Sequence, residues 1–377
     1  MSKPKVSIIV PCYNVAPWVA RCMDSLINQT LRDIEIICVD DKSTDDTLRI
    51  LREYAARDGR IQVVAHDKNM GVAAARNTAM DGAHGEFMGF VDPDDYVDLD
   101  FYQKLYETAV ARGVDVACGN VMTLDMNTHA VWPGDDILDK ISADYREFTS
   151  RFWSAVYRTE MLRKNNIGFP VGIITAQDVV FLNDVILAVA DVAVCYDTFY
   201  YYFYQRIGSL DSHIMSHAKA QSKHRAVCLM LESLARAGIS DDEVRFMVAN
   251  RVIKYLAYDL NTKVFENDDD RRQRFEMLAT LVRKYRCGAS LHSLMPADVA
   301  RAVRKNDYDA WRRITDTARV RFYLFGFIPA VAISRYENIV WVRVCGGVPL
   351  IKIKDQRKVY LFGIIPVMKW RIRRVME

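Results

Sequence analysis

The chain contains no Cys-x-x-Cys pair and no cysteine set beside histidine at metal-ligand spacing, although eight cysteines are scattered from Cys12 to Cys345. That pattern excludes a zinc module or a dithiol redox site. Several of the thiols fall inside apolar patterns, where they act as small buried hydrophobes, and a reducing compartment is expected. No apolar run approaches the roughly 20 residues that a membrane span requires. The opening Met-Ser-Lys-Pro-Lys leads directly into a strand pattern without an apolar export segment. The expectation is a cytoplasmic protein, either free or peripheral on the inner face of the cell membrane. There is also no Gly-x-Gly-x-x-Gly, which argues against a dehydrogenase. The first strand is followed by Pro11-Cys-Tyr-Asn-Val rather than a Gly-rich phosphate loop, which argues against a nucleotidyltransferase. Finally, excess charge is small in the whole and uneven in the parts. The net of +3 is the sum of +8 over residues 316–377 (12 Lys/Arg against 4 Asp/Glu) and −5 over residues 1–315. A mildly acidic body with a basic tail gives no reason to expect a nucleic-acid partner.

What is present is an alternation of strand and helix patterns. Lys5–Pro11 reads as a buried strand rich in β-branched residues, and Val19, Cys22, Met23, Leu26 and Ile27 mark one face of the helix that follows. A second strand, Ile34–Val39, stops at Asp40-Asp41. Ser43-Thr-Asp-Asp46 then reads as a capping box for a helix running to Arg57. A third strand at 61–65 leads to Asn69-Met-Gly71 and the small-residue helix start Val72-Ala-Ala-Ala-Arg76, where glycine lets backbone N–H groups face an anion. The strand Phe87–Val91 ends in Asp92-Pro-Asp94-Asp95. Proline stops the ladder and leaves three carboxylates at the strand's carboxyl end, which is where open α/β sheets keep their ligands. Three carboxylates in four positions repel one another, so a shared Mg²⁺ or Mn²⁺ is expected, with an acidic helix cap as the alternative. The fold class predicted is α/β, Rossmann-like, with a mostly parallel sheet and helices on both faces. Domain boundaries are placed at 1–213 (1–119 nucleotide-binding, 120–213 acceptor), 214–315 helical, and 316–377 a basic aromatic tail.

Taken in order, Pro11-Cys-Tyr13-Asn14, Asp40-Asp41 with Ser43-Thr-Asp45, Asn69-Met-Gly71 with Arg76-Asn77, Asp92-Pro-Asp94-Asp95 and Gln177-Asp178 resemble the family 2 glycosyltransferases of the GT-A fold, over roughly residues 5 to 210. The resemblance implies a metal-dependent, inverting transfer of a hexosyl or N-acetylhexosaminyl group. The donor would be a UDP-sugar and the acceptor a saccharide or lipid-linked saccharide of surface polysaccharide synthesis. It implies that Tyr13 stacks on the base and Asp40 hydrogen-bonds it. Pro11, Asn14, Asp41, Asn69 and Gly71 belong to the same donor site, Arg76 faces the diphosphate, and Asp92 contacts the ribose. Asp94 is then the metal ligand, and Asp95 either shares the metal or fixes the loop. Asp178 is the expected base, with Gln177 where the family has glutamate. Losing that neighbouring carboxylate is expected to lower the base's pKa. Arg206 and His213 match positions closing over the diphosphate and the metal. The alternative is a non-catalytic nucleotide-sugar-binding or scaffold protein.

The aromatic run Phe199–Tyr204 is read mainly as sheet packing. In the tail, Phe322-Tyr-Leu-Phe-Gly-Phe-Ile-Pro329 recurs as Val359-Tyr-Leu-Phe-Gly-Ile-Ile-Pro366, with a fainter echo from Gly346 to Lys354. Aromatics interleaved with Lys and Arg suit an anionic membrane surface, and the alternative is a hairpin contact within a homo-oligomer.

Overall fold

The computed structural model describes residues 3–125, 131–133, 151–204, 216–262, 264–289, 291 and 294–315, and the backbone of six strands between 318 and 369. The chain divides into two compact units, Met1–Glu266 and Asn267–Glu377. The helices expected as one subdomain over 214–315 are therefore shared between the two.

The first unit opens with β1 (Val6–Cys12), α1 (Ala16–Ile27), β2 (Ile34–Asp40), α2 (Thr47–Arg57), β3 (Ile61–Ala65), α3 (Val72–Asp81) and β4 (Phe87–Phe90). These four strands are parallel, in the order β3-β2-β1-β4. β1 and β2 are buried along their whole length, as continuous β-branched runs in a parallel sheet must be. Glu35 is a buried exception: its Oε1 accepts from Ser7 Oγ at 2.5 Å and from the His84 N–H at 2.6 Å. It ties the start of β4 to β1 and β2, at the sheet edge away from the loops that follow the strands.

Beyond β4 the sheet ceases to be parallel. β5 (Tyr96–Val97), α4 (Phe101–Arg112), β6 (Val116–Asp125), β7 (Val131–Pro133), β8 (Ala155–Arg158), α5 (Thr159–Lys164), α6 (Gln177–Ala188) and β9 (Ala193–Tyr204) follow. The order continues β4-β8-β6-β9-β5, with β8 antiparallel to both β4 and β6, and β6 parallel to β9. β6 is thus separated from β4 by β8, and its pairing with β9 shifts between Gly119 and Asn120. Gly119 sits where a Cβ would lie 2.6 Å from the Phe101 ring, so α4 can approach the sheet closely.

The capping box predicted at Ser43–Asp46 does not form. α2 starts at Thr47, and Asp46 makes no side-chain cap. Ser43 Oγ instead accepts from the Asn14 N–H at 3.0 Å, while Asp45 Oδ1 accepts from the Thr47 N–H at 3.0 Å. The loop after β2 is thereby tied to the loop after β1 before it caps its own helix. After β9 come α7 (His217–Arg236), α8 (Asp241–Met247), a π-helical turn Val248–Val252 and α9 (Ile253–Thr262). The Ser240–Glu243 pair does form a capping box, at the start of α8.

The second unit holds α10 (Asp268–Lys284), α11 (Ala297–Lys305) and α12 (Tyr308–Thr315) around Phe275, Tyr308 and Trp311. Six antiparallel strands follow: β10 (Ala318–Leu324), β11 (Ile328–Tyr336), β12 (Ile339–Val344), β13 (Val348–Lys354), β14 (Lys358–Leu361) and β15 (Ile365–Lys369). The sequence repeat is a structural one. Pro329, Pro349 and Pro366 each pair just where the register shifts, opposite Tyr323, Arg343 and Tyr360. Proline offers no N–H to the ladder, so the bulge recurs with it.

Candidate functional site

The carboxyl ends of β1, β2 and β4 bring the candidate residues together. Cys12 and Asp40 are register partners, and the Asp41 N–H donates to the Cys12 carbonyl at 2.8 Å, so Pro11, Tyr13 and the Asp40-Asp41 pair share one sheet edge. Asn14 takes a left-handed conformation (φ 50°), and its Oδ1 accepts from the Thr44 N–H at 2.8 Å. With that turn locked, the Tyr13 side chain remains 47% exposed at the sheet's edge.

The two adjacent aspartates have different tasks. Both Asp41 oxygens are used by the loop after β3: Oδ1 accepts from the Met70 N–H (2.8 Å) and faces His66 Nδ1 (2.7 Å), and Oδ2 accepts from the Gly71 N–H (2.7 Å). Asp41 was expected to touch the donor; its carboxylate instead shapes the Asn69–Gly71 turn. Gly71 has φ 88°, a conformation in which L side chains are strained. Asn69 is exposed beside it. Asp40 is also buried, but only Oδ2 is engaged, by the Ser43 N–H at 3.1 Å. Its Oδ1 is buried without a partner. A buried acceptor left in that state costs about 1–3 kcal/mol unless a ligand answers it.

Arg76 projects from α3 and is 4% exposed. Its Nη2 donates to Asp92 Oδ1 at 2.8 Å, and the guanidinium lies between Phe152 (4.5 Å) and Phe169 (5.0 Å). Nε and Nη1 are buried without a partner. The two rings belong to a cluster in which Phe90, Phe152, Phe169 and Phe181 meet at 4.4–6.1 Å. No motif in the sequence marks Phe152 or Phe169 as functional, because they reach Arg76 only through the antiparallel half of the sheet.

The three carboxylates after β4 take different partners. Asp95 is 1% exposed, with Oδ1 accepting from the Phe203 N–H and Oδ2 from the Tyr200 hydroxyl, each at 2.8 Å. Of the two roles expected for it, this geometry is that of a loop anchor, since both oxygens are consumed and turned inward. Burial, and then repulsion from Asp94 and Asp92, push its pKa well above the usual carboxylate range. Tyr200 also accepts from the Asp92 N–H at 3.0 Å, so one buried hydroxyl fixes both ends of the turn. Asp92 is occupied by Arg76, and Asp94 is half-buried, its carbonyl accepting from Arg21 Nη2 at 2.7 Å. Among the described residues, no three His, Cys, Asp or Glu side chains form a ready-made metal cage. The donor set fits Mg²⁺ or Mn²⁺ in the manner these ions prefer, with one or two carboxylates and the remaining positions filled by phosphate and water.

Asp178 lies in the first turn of α6, behind Ala176 at φ 69°. It is within electrostatic reach of Arg76 and Asp92. Burial raises its pKa, with the Arg76 charge and backbone N–H groups opposing the rise. The effect expected from Gln177 is a difference from a site that carries glutamate there, and it is separate from this rise set by burial. Gln177 is itself buried, its Oε1 unpartnered. Arg206 and His213 lie outside the described residues. A cavity of about 520 Å³ between α3, α5, α6 and α7, lined by Asn77, Arg163, Phe169, Asp184 and Arg236 among others, takes in none of the candidate residues.

Residues 7–177 match the family model described as "Glycosyl transferase family 2". Over these residues the chain is similar to the family 2 glycosyltransferases. It is 38% identical over 186 residues to the uncharacterized glycosyltransferase EpsJ of Bacillus subtilis, covering 46% of this chain and 54% of that one. It is 33% identical over 212 residues to the poly(ribitol-phosphate) beta-glucosyltransferase of Bacillus spizizenii, covering 54% of this chain and 33% of that one. The chain thus spans between a third and about half of these relatives. Its fold is that of S. aureus TarS 1–349, crystallised with UDP-GlcNAc, at a TM-score of 0.67 and 20% identity, over 91% of this chain and 97% of that one. The fold is GT-A, a mixed sheet with helices packed on it.

Proposed function

We propose that this protein transfers a hexosyl or N-acetylhexosaminyl group, with inversion, from a UDP-sugar to a hydroxyl of a saccharide or lipid-linked saccharide, in surface polysaccharide synthesis at the inner face of the cell membrane. The observation that carries the reading is the set of buried polar atoms left unanswered around one strand edge: Asp40 Oδ1 as acceptor, and Arg76 Nε and Nη1 as donors. A uridine nucleotide supplies an imide N–H for the first and phosphate oxygens for the second. Tyr13 offers its exposed ring to the base. Two relatives are named for a nucleotide-sugar complex or for glucosyl transfer, in keeping with this class of donor.

In this reading Arg76, kept cationic and oriented by Asp92 and two aromatic faces, offsets charge that grows on the departing diphosphate. Asp94 would hold the divalent cation, which when bound supplies further neutralisation of that charge, and Asp92 would face the ribose. Asp178 removes the proton of the acceptor hydroxyl as it attacks the anomeric carbon from the face opposite the diphosphate, which inverts that centre. Burial suits Asp178 to this task, since a raised pKa makes an ionised carboxylate a stronger base. Asp95 and Asp41 act one step back, by holding the two loops.

A thermal-shift panel of nucleotide sugars with and without Mn²⁺ tests the reading, because a ligand that binds only the folded state raises Tm. UDP-linked sugars should stabilise the protein and Mn²⁺ should enlarge the shift. No shift with any nucleotide sugar would contradict the proposal.

A further inference from the structure

Strand pairing in the C-terminal sheet sorts its residues into two unlike faces. Cross-strand partners share a face, so the row Val320–Ile333–Val342–Ile351–Leu361–Ile365 runs across all six strands on one side, with Phe322–Val331–Val344–Val348 beside it. Arg335 is the one charged position on that side. The other side carries the row Arg319–Ser334–Trp341–Lys352–Tyr360–Pro366. Next to it on the same side are Arg321, paired through Ala332 to Arg343, and the run Tyr336–Ile339–Lys354–Lys358–Lys369. No Asp or Glu lies in any of the six strands. Antiparallel sheets commonly pack one face on a core and leave the other solvated. By composition the apolar rows make one face and the basic aromatic rows the other.

Two features of the basic side point to an extended anionic partner. Lys354, Lys358 and Lys369 are successive cross-strand partners. Their register concentrates positive charge along one line of the sheet. Trp341 and Tyr360 flank Lys352 in one row, and Trp and Tyr are the residues that settle at the headgroup level of a bilayer. The threefold hairpin repeat lays this pattern out over the sheet rather than in one pocket, which matches a surface better than a single small anion.

We propose that the basic aromatic face of the β10–β15 sheet docks on an anionic phospholipid bilayer, independently of the donor site. The charge is complementary: residues 316–377 carry a net +8 (12 Lys/Arg against 4 Asp/Glu), and each basic residue near such a membrane is worth about fivefold in partitioning. The test is co-sedimentation of the full-length protein with vesicles of phosphatidylcholine alone or with phosphatidylglycerol added, at two salt concentrations. Binding should require the anionic lipid and weaken with salt. The double variant Arg321→Gln/Lys352→Gln should bind about 25-fold more weakly, while Arg321→Lys should bind as the parent does. The same charge change at exposed Arg52 and Arg301, made as Arg52→Gln/Arg301→Gln, should alter binding less than about twofold. A far-UV circular dichroism spectrum and melting temperature equal to the parent's show that each variant is folded. Equal binding to neutral vesicles, an equal loss in the Arg52/Arg301 variant, or binding only to a soluble anionic polymer and not to vesicles would overturn the proposal.

Discussion

Two aspartates, Asp40 and Asp41, stand side by side at the end of β2, yet only one is left with an open oxygen. The sequence identifies the pair and its chemistry. It cannot divide the work, because the partners that consume Asp41 (His66, Met70 and Gly71) are brought to it by the loop after β3. Asp178 shows the same limit from the other side. Its position at a helix start is legible, but the sign of its pKa shift is not, since that depends on burial among side chains distant in sequence. If Asp178 is the base, it must be ionised to act, so kcat/KM should fall as pH drops through its pKa. That acid limb should lie above the ordinary carboxylate range, because burial raises the group. Asp178→Asn should keep donor binding near the parent value, lower transfer by roughly 10²–10⁴-fold, and abolish the limb. A limb that persists unchanged in Asp178→Asn assigns the base elsewhere. The same shift has a stability sign: an Asp with a raised folded pKa favours the fold at acid pH, and that contribution fades as pH rises through the raised value.

Among the elements, the first four strands and the helices between them follow from alternating apolar runs, and their boundaries are close to those read from the pattern. The reading fails where local pattern stops carrying the information. β8 enters the sheet antiparallel between β4 and β6, and nothing in Ala-Val-Tyr-Arg states which neighbour it takes. The acidic turn after β4 shows a related limit: the sequence leaves Asp95 as either a metal partner or a loop anchor, and the anchor geometry appears only because Tyr200 on β9 reaches it. That hydroxyl both accepts from the Asp92 N–H and donates to Asp95. Tyr200→Phe should therefore destabilise the protein by about 1–3 kcal/mol in urea titration, the cost of stranding buried polar partners. It should also weaken UDP binding by letting Asp92, and with it Arg76, lose registry. A variant as stable as the parent would show that the turn holds itself.

For the whole molecule, the organisation is an acidic body with a basic end, and the sequence discloses this more directly than any single site. The repeat of Phe-Gly-Phe-Ile-Pro and Phe-Gly-Ile-Ile-Pro was legible as a repeat, and strand register turns it into three hairpins with a bulge at each proline. The division at Glu266 was not legible, because helical periodicity continues on both sides of it. Everything proposed for the donor half depends on one complementarity, between the unanswered atoms of Asp40 and Arg76 and a uridine diphosphate. A crystal structure with UDP and Mn²⁺ bound measures it directly. The account predicts the uracil N–H on Asp40 Oδ1, the ring against Tyr13, phosphate oxygens facing Arg76, and the metal on Asp94. UDP bound at another surface, with Asp40 and Arg76 still unpartnered, would contradict it.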